Sequence, residues 1–325
     1  MPELIVFVIS ISAVIIGAEW LGNASTFIAA RLAIPRVIIG ATVVSLATTL
    51  PEITISALSS AEGSPEVGLG TVFGSPFVNI GLIFGLLLLF SKPEINKAYF
   101  SRTIQFFLIA IFLVFLAFLG KNISPFFSLF LIFFGVIYLF LQGVIGKHEE
   151  SMVEKLEHRI VKVINFFSHN GNYSQIVYLV MGSILLVLGA HFLVGSATTL
   201  AGILNVPQIV IGVVIIAFGT SLPEAFTTLN SIIRRRSNLS AGNLFGASIL
   251  DLTIALGLGG IFNSAAINPS ALYLTVGGLA IISSVSLLYA FDRISPKLIG
   301  GILIASYVFY LIWFSNIEVG GLFLF

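Results

Sequence analysis

A seven-residue tract occurs twice in this chain and constrains its fold more than any other feature. Residues 46–52 read Leu-Ala-Thr-Thr-Leu-Pro-Glu, and residues 218–224 read Phe-Gly-Thr-Ser-Leu-Pro-Glu, 172 positions later. The same offset needs no gap to superpose six further pairs: Gly17 on Gly189, Pro35 on Pro207, Gly40 on Gly212, Gly74 on Gly246, Asn79 on Asp251 and Gly85 on Gly257. The chain therefore consists of two related halves, and the tract marks an equivalent position in each.

The composition is that of an integral membrane protein. Hydrophobic residues occupy 58% of the 325 positions, charged residues only 9%, and the mean hydropathy is +1.11. So few charged residues cannot cover the surface of a water-soluble protein of this size. The formal net charge of +1 indicates no nucleic-acid partner. The chain has no cysteine with which to form disulfides or thiolate metal sites.

Ten apolar stretches are long enough to cross a bilayer, which takes about 20 helical residues. Five crossings in each half, an odd number, turn the second half upside down in the membrane. We therefore expect an all-α integral membrane protein with ten transmembrane helices in two inverted-topology repeats of five, residues 1–145 and 173–325. The expected spans lie near residues 4–30, 37–60, 68–90, 100–119, 124–144, 173–202, 207–232, 240–262, 270–290 and 296–315.

The longest hydrophilic segment, residues 146–172, is expected to be a cytoplasmic linker between the halves. Apolar residues recur there among charges at roughly helical spacing. This pattern fits a short amphipathic helix at the membrane surface, and it fits a plain solvated linker equally well.

Basic residues orient the chain, because cytoplasmic loops collect Lys and Arg. With ten spans, 14 of the 15 Lys and Arg residues fall on one side of the membrane, and Lys121 alone falls on the other. Both termini should then be extracellular. We expect a multi-pass protein of the plasma membrane, surrounded by the lipid bilayer and monomeric.

The repeated tract combines a helix break with a carboxylate. Pro51 and Pro223 lack an N–H and push against the preceding turn, so each should free backbone carbonyl oxygens. Membranes tolerate such groups where they line a cavity or bind a ligand. Thr48 and Thr220 each precede a glutamate by four residues, Glu52 and Glu224 respectively, and so share its helical face.

The next helix of each half supplies a second set of polar residues. Ser75 and Asn79 lie four apart in the first half, and Ala247 and Asp251 occupy the equivalent positions in the second. All but Ala247 are oxygen donors, which suit hard cations such as Ca²⁺ and Na⁺, whereas zinc or copper would call for His or Cys.

Buried carboxylates indicate an exchange mechanism. Moving Glu52, Glu224 and Asp251 through an occluded state without counter-charge would be costly, so the empty carrier should not reorient. Ca²⁺, Na⁺ or protons could each neutralise the site, which leaves the coupling ion open. Transport is the leading hypothesis, with no cofactor and no enzymatic reaction. Every Lys falls in a loop, which argues against a retinal protein, and Asp251 is the one Asp in a span, which argues against an aspartyl protease. A cation channel is the less favoured alternative.

The paired Thr-Thr/Ser-Leu-Pro-Glu segments, each followed by a Gly-rich helix with Asn79 or Asp251, resemble the alpha-repeats of the sodium/calcium exchanger family of the calcium:cation antiporter superfamily. The resemblance implies alternating access with Glu52 and Glu224 as central Ca²⁺ ligands, assisted by the backbone carbonyls of Thr48 and Thr220. It further implies Na⁺ sites, and sliding of the first and sixth helices against a static body. The residues it assigns to Na⁺ are Thr49, Ser75, Thr220 and Ser221, the carbonyls of Ser45 and Ala217, and Asn79 and Asp251.

Three positions depart from the family pattern. The family normally has Ser where this chain has Ala247, and Asn is usual where Pro76 and Ser248 stand. Loss of the hydroxyl at position 247 weakens the expectation of Na⁺ coupling. A Ca²⁺/H⁺ or broader cation/H⁺ antiporter is therefore the runner-up, and a K⁺-dependent exchanger is third. Ser248 could compensate, although it points about 100° away on an ideal helix.

Two polar residues outside the tract occupy equivalent positions in the halves. Glu19 and His191 are separated by the same 172 positions, and each lies in the first span of its half. We interpret them as interfacial or gating residues. Glu62 and Glu66 follow the second span and are expected in an extracellular loop, where they could attract cations.

Overall fold

The computed structural model describes nine stretches of the chain: residues 2–31, 45–91, 93, 97–120, 123–148, 172–233, 238–263, 267–291 and 294–320. Every regular element within them is helical. The expected linker helix and most of the basic loops lie outside the described residues.

The described residues of the first half form seven α-helices. A π-helical segment, π1 (Phe77–Phe84), joins α4 to α5, and a 3₁₀ turn (Phe118–Gly120) ends α6. The α-helices are α1 (Pro2–Arg31), α2 (Ser45–Thr48), α3 (Leu50–Ala61), α4 (Pro65–Pro76), α5 (Gly85–Phe90), α6 (Lys97–Ala117) and α7 (Pro125–His148).

The second half repeats this plan. Two π-helical segments, π2 (Gly212–Ile216) and π3 (Asp251–Ala255), interrupt its second and third spans. Its α-helices are α8 (Asn172–Leu204), α9 (Gln208–Ile211), α10 (Ala217–Thr220), α11 (Leu222–Ile233), α12 (Asn238–Leu250), α13 (Leu256–Phe262), α14 (Pro269–Ala290) and α15 (Pro296–Glu318).

The helices confirm an all-α, multi-pass membrane protein. Within the described residues, nine helical runs are long and apolar enough to cross a bilayer. The second expected span, 37–60, is described only from Ser45 onward, as α2 and α3. Large apolar side chains such as Phe126 and Phe140 are 80% and 69% exposed, which suits lipid and not water.

Two helical rods, each interrupted by a π-helical segment, form the centre of the molecule. In the runs Pro65–Phe90 and Ala241–Phe262, 83% of the residues in the most apolar stretch are buried, against 28% in the runs containing α1 and α8. The central rods carry Ser75, Asn79 and Asp251. The polar residues of the repeated halves therefore lie where bilayer and water are excluded.

Reciprocal glycine contacts relate the two halves. A Cβ added to Gly17 would lie 2.6 Å from the Leu186 nitrogen, and one added to Gly189 would lie 2.9 Å from the Val14 nitrogen. Val14 and Leu186 are themselves equivalent under the 172-residue offset. The interface between α1 and α8 therefore contains two equivalent contacts that exchange when the halves are exchanged, as a pseudo-two-fold axis requires.

The same reciprocity occurs beside the repeated tract. A Cβ added to Gly74 would lie 2.6 Å from the Ala217 Cβ, and one added to Gly246 would lie 3.1 Å from the Ser45 Oγ. Gly74 and Gly246 are equivalent, and so are Ser45 and Ala217. Each central rod therefore approaches the broken helix of the opposite half, which brings the two copies of the tract together.

Helices α1 and α8 form a unit at one side of the molecule. A separate apolar cluster has nine of its thirteen buried members on these two helices, and the rest include Ile55 of α3 and Val67 of α4. The main core cluster is built from the other helices. The pair therefore packs on the body through an apolar, glycine-containing surface.

Candidate ion-binding site

Both copies of the tract break their helix at the same place. Between α2 and α3 the chain pauses at Thr49 (φ −86°, ψ −4°), and between α10 and α11 it pauses at Ser221 (φ −82°, ψ 3°). The prolines sit two residues later, near the start of the new helix, where a missing N–H is tolerated. The expected breaks are thus present, two residues ahead of each proline.

The two glutamates of the tract are buried and lie next to the opposite half. Glu52 is 2% exposed and Glu224 is 1% exposed. The Thr220 side chain lies near the Glu52 carboxylate, and the Thr48 side chain lies near that of Glu224. The two contacts exchange under the 172-residue offset, so the pseudo-two-fold axis passes between the carboxylates.

Asp251 completes a group of three acidic side chains. It is 1% exposed, and it lies close enough to Glu52 and Glu224 for mutual electrostatic repulsion. Three carboxylates in a low-dielectric interior repel one another strongly unless cations or protons neutralise them. The arrangement therefore favours a positively charged occupant.

Several buried oxygens in this region have no hydrogen-bond partner among the described residues. They are Glu52 Oε2, Asn79 Oδ1, Ser221 Oγ and Asp251 Oδ1. Buried polar atoms are nearly always satisfied, and an unsatisfied one costs about 1–3 kcal/mol. Carboxylate, amide and hydroxyl oxygens are the ligands that Ca²⁺ and Na⁺ take, so bound cations could supply the missing partners.

The hydroxyls at the breaks are oriented by the backbone. Thr49 Oγ1 donates to the Ser45 carbonyl at 2.7 Å, and Thr220 Oγ1 lies 3.1 Å from the Ile216 carbonyl. A hydroxyl that donates its proton to a carbonyl keeps its lone pairs for a cation. The Ser45 carbonyl also accepts from the Thr49 N–H at 3.1 Å and from Thr48 Oγ1 at 3.2 Å, so a cation there would share this oxygen with one backbone amide and two hydroxyls.

The two halves differ at one hydroxyl. Ser75 Oγ donates to Glu52 Oε1 at 3.4 Å, while the equivalent residue in the second half is Ala247, which is 1% exposed and has no hydroxyl. Ser248 does not replace it in this structure, because its Oγ donates to the Leu244 carbonyl at 2.8 Å. The second half therefore offers one oxygen fewer.

The structure places the sequence-predicted site residues in one buried region on α2, α3, α4 and π1 of the first half and α10, α11 and π3 of the second, with Thr49 and Ser221 at the helix breaks. All are less than 2.5% exposed except Thr48, which is partly buried; Ala217 packs against the central rod at Gly74. In the described part of the chain, no three His, Cys, Asp or Glu side chains converge as a metal site by themselves. Hydroxyl, amide and carbonyl oxygens would have to complete the coordination.

Two features of the site were not predicted from the sequence. Asn79 lies within π1 and Asp251 begins π3, so both equivalent residues sit on widened helical turns. Pro76 gives a local signal for the first, but the second has no proline. Asn243 Oδ1 also accepts a hydrogen bond from Ser45 Oγ at 3.0 Å, and no pattern singled it out.

A family model described as sodium/calcium exchanger protein matches residues 3–144 and 174–316 of this chain. The chain is 26% identical over 321 residues to the inner membrane protein YrbG of Escherichia coli K12, covering 96% of this chain and 97% of YrbG. It is 25% identical to the sodium/calcium exchanger MaX1 of Methanosarcina acetivorans, covering 84% and 87% of the two chains.

A solved structure agrees with the fold. The sodium-calcium exchanger NCX_Mj, soaked with 10 mM Na⁺ and zero Ca²⁺, matches with a TM-score of 0.65 and 27% identity over 94% of this chain and 97% of that one. The family model covers both halves and both copies of the tract. The chain therefore belongs to the sodium/calcium exchanger protein family, whose members are transporters and not enzymes.

Proposed function

We propose that this protein exchanges Ca²⁺ for Na⁺ across the membrane by alternating access at the buried site between its halves. One observation carries the proposal: Glu52 and Glu224 are buried at equivalent helix breaks, and each lies near a threonine of the opposite half. Such a site lies on the axis that relates inverted repeats, where secondary transporters bind their substrates.

The ligand assignment follows the two copies of the tract. Glu52 and Glu224 bind Ca²⁺ together with the Thr48 and Thr220 carbonyls. The unpartnered oxygens of Asn79, Ser221 and Asp251 support a role in cation binding. The Na⁺ ligands are Thr49, Ser75, Asn79, Thr220, Ser221 and Asp251, with the carbonyls of Ser45 and Ala217.

Exchange follows from the charge of the site. Three carboxylates without counter-ions would resist passage through an occluded, low-dielectric state. One Ca²⁺ or several Na⁺ would lower that barrier. The protein therefore reorients when cations occupy the site and does not reorient when the site is empty. In the reorientation α1 and α8 slide together against the remaining helices, which their separate apolar cluster supports.

The topology is an inverted pair of repeats, residues 1–145 and 173–325, joined by a cytoplasmic linker of residues 146–172. Within the described residues, Arg31, Lys97, Arg102, Lys147 and Lys297 lie at or near the ends of helices that alternation places on one side. Positive residues mark the cytoplasmic side, so both termini are extracellular. We place a monomer in the lipid bilayer of the plasma membrane; YrbG, a full-length relative, is itself an inner membrane protein.

The test is radioactive Ca²⁺ uptake into proteoliposomes under three conditions: an outward Na⁺ gradient, an outward proton gradient, and no gradient. We expect the Na⁺ gradient alone to drive uptake. Uptake with protons only would overturn the Na⁺ assignment while leaving the site in place.

Ala247 favours a second candidate, a Ca²⁺/H⁺ antiporter. The chain lacks one oxygen that could bind Na⁺, and Ser248 is committed to its own helix. Protons need no coordination shell of several oxygens, so the missing hydroxyl would not impair proton coupling. The proton-gradient arm of the same uptake assay tests this candidate.

A further inference from the structure

His191 and Glu62 form a contact that the ion site does not use. His191 Nδ1 lies 2.6 Å from Glu62 Oε1. An ionised carboxylate can only accept, so the imidazole donates. His191 belongs to α8, and Glu62 caps the C-terminus of α3, the helix that carries Glu52. The contact therefore ties the α1–α8 pair to the body of the protein.

The Glu62 end of the contact is held rigidly. Gly63 adopts φ +81°, its N–H donates to the Ser60 carbonyl at 3.3 Å, and the Ser64 N–H donates to the Ser59 carbonyl at 2.8 Å. These two bonds with a left-handed glycine form a Schellman motif, which fixes the helix end. The backbone at Glu62 is therefore held in one conformation at the α3–α4 turn.

The other end of the contact lies on α8, which packs on the body through an apolar cluster. Around His191, α8 meets α3 and its neighbours through apolar side chains such as Ile55, Leu58 and Leu193. Apolar contacts are non-directional, and they persist when helices shift along one another. The 2.6 Å hydrogen bond between His191 and Glu62 is directional. It is lost when the two atoms move about one ångström further apart.

We propose that Glu62 and His191 form a clasp that must open each time α1 and α8 slide during transport. The proposal rests on the proposed function in requiring that motion. The clasp stabilises the conformation seen here, and it sets how readily the site becomes accessible on the side of the α3–α4 turn. The side chains are 29% and 56% exposed, so the pair is a weak restraint and not a permanent lock.

The chain has no cysteine, so a pair of introduced thiols can be linked specifically. The test variant carries Glu62→Cys and His191→Cys, linked by a short, reducible bis-thiosulfonate reagent in proteoliposomes. We expect linking to lower Ca²⁺ uptake at least about tenfold, because reorientation becomes limiting. Reduction should restore it. The two single-cysteine variants, treated alike, control for modification alone.

A matched control links α1 to α8 and leaves the body free. Trp20 and Tyr178 pack edge to face with ring centroids 5.6 Å apart. The variant with Trp20→Cys and Tyr178→Cys should link and keep its uptake, since the two helices move together. High-yield linking of positions 62 and 191 with unchanged uptake would overturn the clasp, and so would failure of those thiols to link.

Two further readouts separate the clasp from the proposed function. Wild-type uptake tests the function, and if only protons drive it, the linking experiment is repeated on that flux. Linking yield, measured on gels in Na⁺, Ca²⁺ or choline, needs no flux; we expect it to change with the cation, and an invariant yield would contradict the clasp.

Glu62→Ala, His191→Ala and the double variant should each alter the uptake rate about two- to fivefold, and the double variant should have no larger effect than either single variant. Additive effects would contradict a direct pair.

Discussion

At the scale of single residues, the site is nearly symmetric but not fully so. Glu52 and Glu224 are equivalent, as are the threonines of the opposite half that lie near them. Asn79 of the first half corresponds to Asp251 of the second, and Ser75 corresponds to Ala247. The symmetric residues define a cation site, while the asymmetric ones determine its total charge and its number of oxygens. Substitutions at the two kinds of position should have different effects.

Glu52→Gln and Glu224→Gln should each abolish Ca²⁺ uptake and leave the protein folded. Each removes one negative charge but keeps the volume and an oxygen of the side chain. The measurement is radioactive Ca²⁺ uptake, with size-exclusion profile and thermal unfolding as the control for folding. Full activity in either variant would contradict the site assignment.

Ala247→Ser should strengthen Na⁺ coupling, because it restores the hydroxyl that Ser75 provides in the first half. The expected result is a lower half-saturating Na⁺ concentration in Na⁺-driven Ca²⁺ uptake. Ser248→Ala is the matched control: its hydroxyl is already bonded to Leu244, so its removal should not change the Na⁺ dependence. An unaltered Na⁺ dependence in Ala247→Ser would show that the missing oxygen plays no part.

Most of the candidate site could be predicted from the sequence because its chemistry is concentrated in a repeated tract. Spacing of four residues placed Thr48 beside Glu52, and the repeat supplied Thr220 and Glu224. The pairing across the halves, Thr220 with Glu52, could not be read from spacing, because it depends on how the two broken helices meet. The bond from Ser45 to Asn243 escaped prediction for the same reason.

At the scale of helical elements, close backbone approach holds the two halves together. A Cβ on Gly70 would lie 3.0 Å from the Gly212 Cα, and one on Gly212 would lie 2.6 Å from the Val67 carbonyl oxygen. These glycines let α4 cross the π2 segment of the other half at backbone distance, as small residues do in membrane interfaces. The crossing lies within one or two turns of the ion site.

Gly212→Ala should destabilise the protein, because the neighbouring atoms are backbone and cannot move aside. The expected cost is about 1–3 kcal/mol of unfolding free energy, seen as a lower melting temperature in detergent. Gly195→Ala in α8 is the control: an added Cβ there meets nothing within 4 Å, so the melting temperature should stay level or rise. Equal melting temperatures for the two variants would contradict the packing argument.

Helix ends were predicted more accurately than helix irregularities. The expected spans 173–202 and 296–315 appear as Asn172–Leu204 and Pro296–Glu318, since hydropathy sets where a span begins and ends. The π-helical segments were not foreseen. A π-turn shifts backbone hydrogen bonds by one residue, and apart from Pro76 before π1 no sequence signature marks these segments. Two of the three contain or begin at site residues.

At the scale of the whole molecule, the repeat explains both the fold and the mechanism. Reciprocal contacts such as Gly17 with Leu186 and Gly189 with Val14 show that the halves are interchangeable in geometry. Two equivalent halves permit two packings of similar energy, in which the halves exchange roles. The two packings are open to opposite sides of the membrane. The halves depart from symmetry where His191 is the equivalent of Glu19 and where Ala247 is the equivalent of Ser75. These differences would make the two states unequal in stability.

An exchanger carries Ca²⁺ across the membrane only in exchange for another cation. The most direct test of this exchange is radioactive Ca²⁺ entry into wild-type proteoliposomes that contain choline and no Na⁺, compared with entry into vesicles loaded with Na⁺, under an inside-negative potential and at equal pH on both sides. We expect no entry above the protein-free background with choline inside and rapid, saturable entry with Na⁺ inside. Equal, non-saturating entry in both would contradict exchange and would identify a cation channel.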